Sequence, residues 1–246
     1  MDDHHDEQKE ARWKPIYRIG AWAAILTIFL GLAEIGITFL PGGGRETTEA
    51  RTVIDWFTQY RSSPIMAMRN LGLVNIFLVA MSIPVSYALY AAHRRVERPL
   101  AGLALIVALL ATAVFYSTNR AFAMLALSNQ HAAAASDTQR ALLMAAGQSM
   151  LAVGESHTPG TFLAFFFSEL AGILISVVML RGKIFSRLSA IAGIVAYSCL
   201  FLFEICSTFI PPLFEAALIL AIIGGVLSMV WDILIARKLL QLSRAN

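Results

Sequence analysis

Six ionisable residues lie inside otherwise apolar runs: Glu34, Arg69, Arg120, Glu169, Glu204 and Asp232. The amides Asn70, Asn75 and Asn119 and the phenol Tyr116 share those runs. Charged groups in apolar surroundings are costly, so they face one another, a water-filled cavity or a ligand. An Arg fork suits carboxylates and phosphates. A Glu supplies acid–base or metal-ligating oxygens. Glu34, Arg69, Asn75, Tyr116, Asn119, Arg120, Glu169 and Glu204 therefore form the candidate ligand-binding set.

Familiar catalytic patterns are absent. No HEXXH, CxxC or GxSxG occurs, and Gly42–Gly44 lacks the Lys and Ser/Thr of a phosphate-binding loop. Cys199 and Cys206 on one helix would be about 10 Å apart by helical rise, beyond the ~7 Å reach of a disulfide. None of the histidines (His4, His5, His93, His131, His157) lies mid-run, which speaks against a haem held between helices. His157 beside Glu155, with Glu34, Glu169 and Glu204 below, is the one combination for metal-dependent or acid–base chemistry. No catalytic residue, metal ligand or cofactor is assigned.

The elements that must position these residues follow from composition. The 246-residue chain is 58% hydrophobic and 14% charged, whereas soluble domains carry about 25% charge. Together with a mean hydropathy of +0.68, this excludes an ordinary soluble domain, a disordered chain and a disulfide scaffold. A membrane-crossing helix needs roughly 17–25 apolar residues. Six runs qualify: Tyr17–Leu40, Pro64–Ala92, Pro99–Leu127, Thr161–Leu180, Leu188–Ile210 and Leu213–Ala236. The expected fold is all-α, a single six-span bundle over residues 17–240, with a leader at 1–16 and a tail at 241–246. Pro84 is expected to kink the second span.

Orientation follows from the basic residues. Thirteen of the nineteen Lys and Arg fall before span one, between spans two and three, between four and five, or after six. Four (Arg45, Arg51, Arg61, Arg140) fall on the other side. This bias predicts two cytoplasmic termini. The net charge of +3 thus reflects topology, and no basic face for nucleic acid is present.

Two segments lie on the outer side. Residues 46–60 place Val53, Trp56, Phe57 and Tyr60 at i, i+3, i+4 and i+7, which predicts an interfacial helix with Trp56, Phe57 and Tyr60 toward the bilayer. Residues 128–160 contain a capping signal at Ser136–Gln139 before the run Ala141–Gly154. That run is too short to span and reads as an interfacial or re-entrant helix.

Each span carries a small or polar stripe. Gly20, Ala24, Thr27, Gly31, Glu34 and Thr38 share one face of the first. The others carry Gly72, Asn75, Ser82, Ser86; Thr112, Tyr116, Asn119; Phe165, Glu169, Gly172, Ser176; Gly193, Tyr197, Glu204, Thr208; and Ala221, Gly225, Ser228, Asp232. Small residues let helices approach closely in lipid, so these stripes face the bundle interior. At 1.5 Å per residue, Glu34, Arg69, Arg120, Glu169 and Glu204 lie about 8–13 Å below the outer ends of their spans. They are expected to converge in one layer. Asp232 is the exception, set near the cytoplasmic end beside Arg237.

Arg18-Ile19-Gly20-Ala21 opening the first span, the basic turn Phe185-Ser186-Arg187-Leu188 and the small-residue stretch Ser189–Gly193 resemble a family of bacterial six-helix integral membrane proteins known as a domain of unknown function. The likeness runs over the whole chain. The chain departs from that family's turn in carrying Ser186 where Pro is common before the Arg. The resemblance implies six spans and a bacterial cytoplasmic membrane, and supplies no catalytic residue. The leading expectation is binding or transport of a small molecule or lipid headgroup through the outer polar layer, with the bilayer as the one general partner. An intramembrane enzyme using Glu34, Glu169, Glu204 and His157, and a non-catalytic accessory subunit, are the alternatives. The absence of broken-helix pairs in the pattern argues against a classical secondary transporter.

Overall fold

The computed structural model describes residues 11–38, 40 and 52–244. Met1–Glu10, the Pro41–Gly44 stop and the first part of the 46–60 segment lie outside these residues. Those described are mostly helical, with no strand among them. Six long helices are α1 (Lys14–Thr38), α4 (Leu73–His93), α5 (Arg98–Thr118), α8 (Phe162–Gly182), α9 (Arg187–Phe209) and α10 (Phe214–Arg244). Between them lie α2 (Val53–Ser62), α3 (Pro64–Asn70), α6 (Ala121–Ala133) and α7 (Asp137–Gly154). Six helical stretches are long and apolar enough to cross a membrane, one of them running through α5 and α6.

The long helices form a ring. Each of α1, α4, α5, α8, α9 and α10 packs on the next, and α10 closes on α1. A core of small residues ties the ring together at the end that carries the termini. There Ala21, Ala24, Ala88, Ala104, Ala190 and Ala236 are buried around Leu89, Val178, Met179, Ile235 and Leu239. Alanine dominates because lipid supplies no hydrophobic drive between helices, and contact area comes from close backbone approach. The outward faces carry Trp22, Phe29, Leu103, Ile106, Ile219 and Ile222, all exposed.

Two of the expected spans are interrupted. The expected span Pro64–Ala92 breaks at Gly72, whose φ of 102° only glycine adopts without strain. The expected span Pro99–Leu127 breaks at Asn119, whose ψ of 127° ends α5. Apolarity runs through both breaks, so composition does not reveal them. Pro84 lies within α4 as expected.

The short helices form a cap at the opposite end. Thr52 and Asp55 make a capping box that starts α2. Val53, Phe57, Tyr60, Ala67, Leu71, Ala121, Met124 and Leu151 form a second core there. Phe57 and Tyr60, expected to face the bilayer, are instead 3% exposed each. The apolar stripe of α2 finds α3, α6 and α7 to pack against, so protein takes the place of lipid. Ser136 accepts from the Gln139 N–H, as its capping signal suggests, and α7 runs eighteen residues from there.

Candidate functional site

Arg69 anchors the first polar cluster. It ends α3, in the cap, rather than lying within a span. Its guanidinium meets the Glu34 carboxylate at 2.9 Å and 3.1 Å. It also donates to the Glu34 carbonyl at 2.6 Å, to Thr38 Oγ1 at 2.7 Å and to Asn70 Oδ1 at 2.9 Å. The Arg69 side chain is 8% exposed and that of Glu34 28%. This cluster holds the cap to the last turns of α1.

Asn119 and Arg120 occupy the second helix break. Asn119 Nδ2 donates to the Gly72 carbonyl at 3.1 Å, and its Oδ1 accepts from the Ala121 N–H at 3.1 Å. One amide thus serves a backbone group at each break. Arg120 points under α7 and donates to the Leu151 carbonyl at 3.2 Å, while its Nε has no partner among the described residues.

Glu204 and Glu169 lie on α9 and α8. The Glu204 side chain is 3% exposed and meets His157 Nδ1 at 2.7 Å. Its other oxygen accepts from Thr208 Oγ1 at 3.3 Å. His157 sits in the α7–α8 connection with a φ of 59°, wedged between Phe165 and Phe203 with centroids at 5.2 and 4.8 Å. Glu169 is 8% exposed, and its Oε2 has no hydrogen bond among the described residues. Sequence reading placed His157 near these glutamates but did not pair it with Glu204. The pair joins residues 47 positions apart, and no local pattern announces it.

The expected single layer is therefore divided. Neither Glu169 nor Glu204 pairs with Arg69 or Arg120 among the described residues. Glu34 belongs to the α1–cap cluster through Arg69. No three His, Cys, Asp or Glu side chains among the described residues are placed to hold a metal ion. Tyr116 is exposed, and its hydroxyl donates to the Ile76 carbonyl at 3.3 Å, tying α5 to α4.

A cavity of about 310 Å³ lies within the ring and draws its lining from all six long helices. Thr27, Asn75, Ser82, Ser86, Thr112 and Ser168 supply hydroxyls and an amide, with Tyr197 and Asp232 from α9 and α10. Leu78, Val79, Leu105, Phe115, Phe165 and Ile175 supply apolar wall. Along α4 the lining runs from Asn75 to Leu89, about 21 Å of helix. Leu89, Ala104, Ile175 and Trp231 belong both to this lining and to the alanine-rich core, so the core closes one end.

The polar groups of this cavity differ in how they are engaged. Thr27, Ser82 and Thr112 bond back to carbonyls of their own helices. Asn75, Ser86, Ser168, Tyr197 and Asp232 are lining residues for which no hydrogen bond or ion pair is found among the described residues. Tyr197 is set by a close approach: a Cβ at Gly172 would overlap the Tyr197 ring. Of the candidate set only Asn75 reaches the cavity. The small and polar stripes of all six spans contribute to it, so they were the better signal.

Asp232 corrects one further expectation. It lines the cavity, whereas Arg237 lines an outer groove between α1 and α10 with Phe29 and Gln241. Five residues of helix turn the two side chains to different faces.

No curated protein and no solved structure gives a significant match to the chain. The model of a family described as a domain of unknown function, DUF4386, matches residues 57–235, which takes in most of the ring and the cap. The chain belongs to this DUF4386 family.

Proposed function

We propose that the chain is a multi-pass membrane protein that binds a small amphipathic molecule in the cavity within its helix ring, as a step in carrying it across or out of the bilayer. The carrying observation is the cavity itself, at the lower end of the ~300–1,000 Å³ range of ligand pockets and lined by mixed apolar and unengaged polar groups. Two broken helices at the cap end support access from that side, since carriers place discontinuous helices beside their sites. The basic bias supports cytoplasmic termini and an outer cap, the arrangement we propose for a bacterial cytoplasmic membrane. The Glu34–Arg69 and His157–Glu204 pairs then hold the cap and its connection over the cavity and do not contact the ligand.

Ala108→Trp would fill the cavity from the α5 wall. With 4-fluorobenzyl alcohol as probe, wild-type protein in nanodiscs should broaden the fluorine resonance beyond the lipid background. The Trp variant, checked for folding by its melting curve, should not. Equal broadening by both proteins would overturn this reading.

A further inference from the structure

The cavity has a distinctive charge inventory. Among the described residues no Lys, Arg or His lines it, and Asp232 is its one carboxylate. No hydrogen bond or ion pair engages that carboxylate among the described residues. Its nearest basic neighbour along the helix, Arg237, lines the outer groove instead. An ionised carboxylate withdrawn from water without a partner is strongly disfavoured. Such a site favours an occupant that brings positive charge.

The surroundings define what kind of cation. Trp231 and Tyr197 line the same cavity, and their rings meet edge to face at 5.3 Å with an interplanar angle of 89°. Aromatic rings attract ammonium groups, most strongly where water is excluded. The Tyr197 hydroxyl has no hydrogen-bond partner among the described residues and can accept from an N–H. Farther toward the cap the wall is Leu78, Val79 and Phe115, which suits hydrocarbon. A divalent metal ion prefers a cage of several oxygens, and this lining offers it a single carboxylate. The volume of about 310 Å³ accommodates a benzyl-sized molecule.

We infer that the cavity selects a small amphipathic organic cation, its ammonium at Asp232 beside Tyr197 and Trp231 and its apolar part along α4 and α5. This rests on the reading that the cavity is a ligand site, and it adds the substrate class.

Benzylammonium, benzyl alcohol and benzoate serve as probes of similar size and different charge. Binding is measured by ligand-observed NMR on the full chain in nanodiscs. The cation should bind wild-type protein at least tenfold more tightly than the alcohol, with benzoate weakest. Asp232→Asn should remove that preference and keep the alcohol's affinity within about twofold, which also shows that the variant is folded. Asp232→Glu should retain the preference. Cation and alcohol bound equally by wild type, or a preference that survives Asp232→Asn, would overturn the inference and leave the cavity reading standing. Binding of none of the three probes would overturn both.

Discussion

The side-chain amide of Asn119 donates to the carbonyl of Gly72 at 3.1 Å, joining the two points at which long apolar stretches break. Gly72 ends the α3 segment with a positive φ. Asn119 ends α5, and its oxygen also takes the Ala121 N–H. Backbone groups at helix ends in apolar surroundings need such partners.

Asn119→Ala leaves both groups without this amide and should destabilise the protein by about 1–3 kcal/mol. Asn119→Asp keeps the acceptor for Ala121 and loses the donor for Gly72, so it should fall between wild type and Ala. Melting curves in a fixed detergent check the order. An Asp variant as unstable as Ala would remove the separate role of the Ala121 bond.

The Glu34–Arg69 pair should behave as a unit. Removing one partner leaves the other buried or half-buried without its counter-charge, a loss of about 3–5 kcal/mol for fully buried pairs. Glu34 is partly exposed, so Glu34→Gln should fall below that range and Arg69→Gln nearer to it. The double variant should cost less than the sum of the singles. Additive melting shifts would show that the pair is not coupled.

His157 holds the α7–α8 connection against α9 through the buried Glu204. His157→Ala leaves Glu204 with Thr208 alone and should cost about 1–3 kcal/mol. Hydrogen exchange should quicken across residues 155–161, while the termini end stays protected. Exchange that is unchanged in this segment would argue that the pair does not secure it.

Tyr60 gives the cap an alkaline limit. Its phenol donates to the Ala121 carbonyl at 2.6 Å, and burial pushes its pKa well above the ordinary value near 10. The folded state therefore binds this proton more tightly than the unfolded state. The contribution is fully present below pH ~10 and is lost as pH rises from there toward the folded value. Tyr60→Phe should lower stability by about 1 kcal/mol near neutral pH and flatten the decline above pH ~10. A decline of the same steepness in the Phe variant would point to other groups.

The number of spans was legible because apolar length is a local property, and the two helix breaks were not because Gly72 and Asn119 interrupt geometry without interrupting apolarity. The inward stripes were legible through the period of the helix. Thr27, Ser82, Ser86, Thr112, Tyr197 and Asp232 lie on them, and all line the cavity. Convergence of Glu34, Arg69, Arg120, Glu169 and Glu204 was inferred from depth and from the inward stripes that carry the three glutamates. Depth along separate helices does not fix position around a ring. Glu34 found the cap through α3, while Glu204 found a loop residue 47 positions away. Asp232 was set beside Arg237 by sequence proximity, although the helix turns them to different faces.

Photo-crosslinking tests the central claim, that the ring cavity is the ligand site. A benzylamine carrying a diazirine is photolysed with the protein in nanodiscs, and adducts are mapped by mass spectrometry. Adducts should concentrate on cavity-lining residues of α4, α5 and α8, such as Ser86, Thr112 and Ser168, and should disappear in Ala108→Trp. Adducts confined to outward residues such as Phe29 and Ile222, unchanged in that variant, would contradict the account.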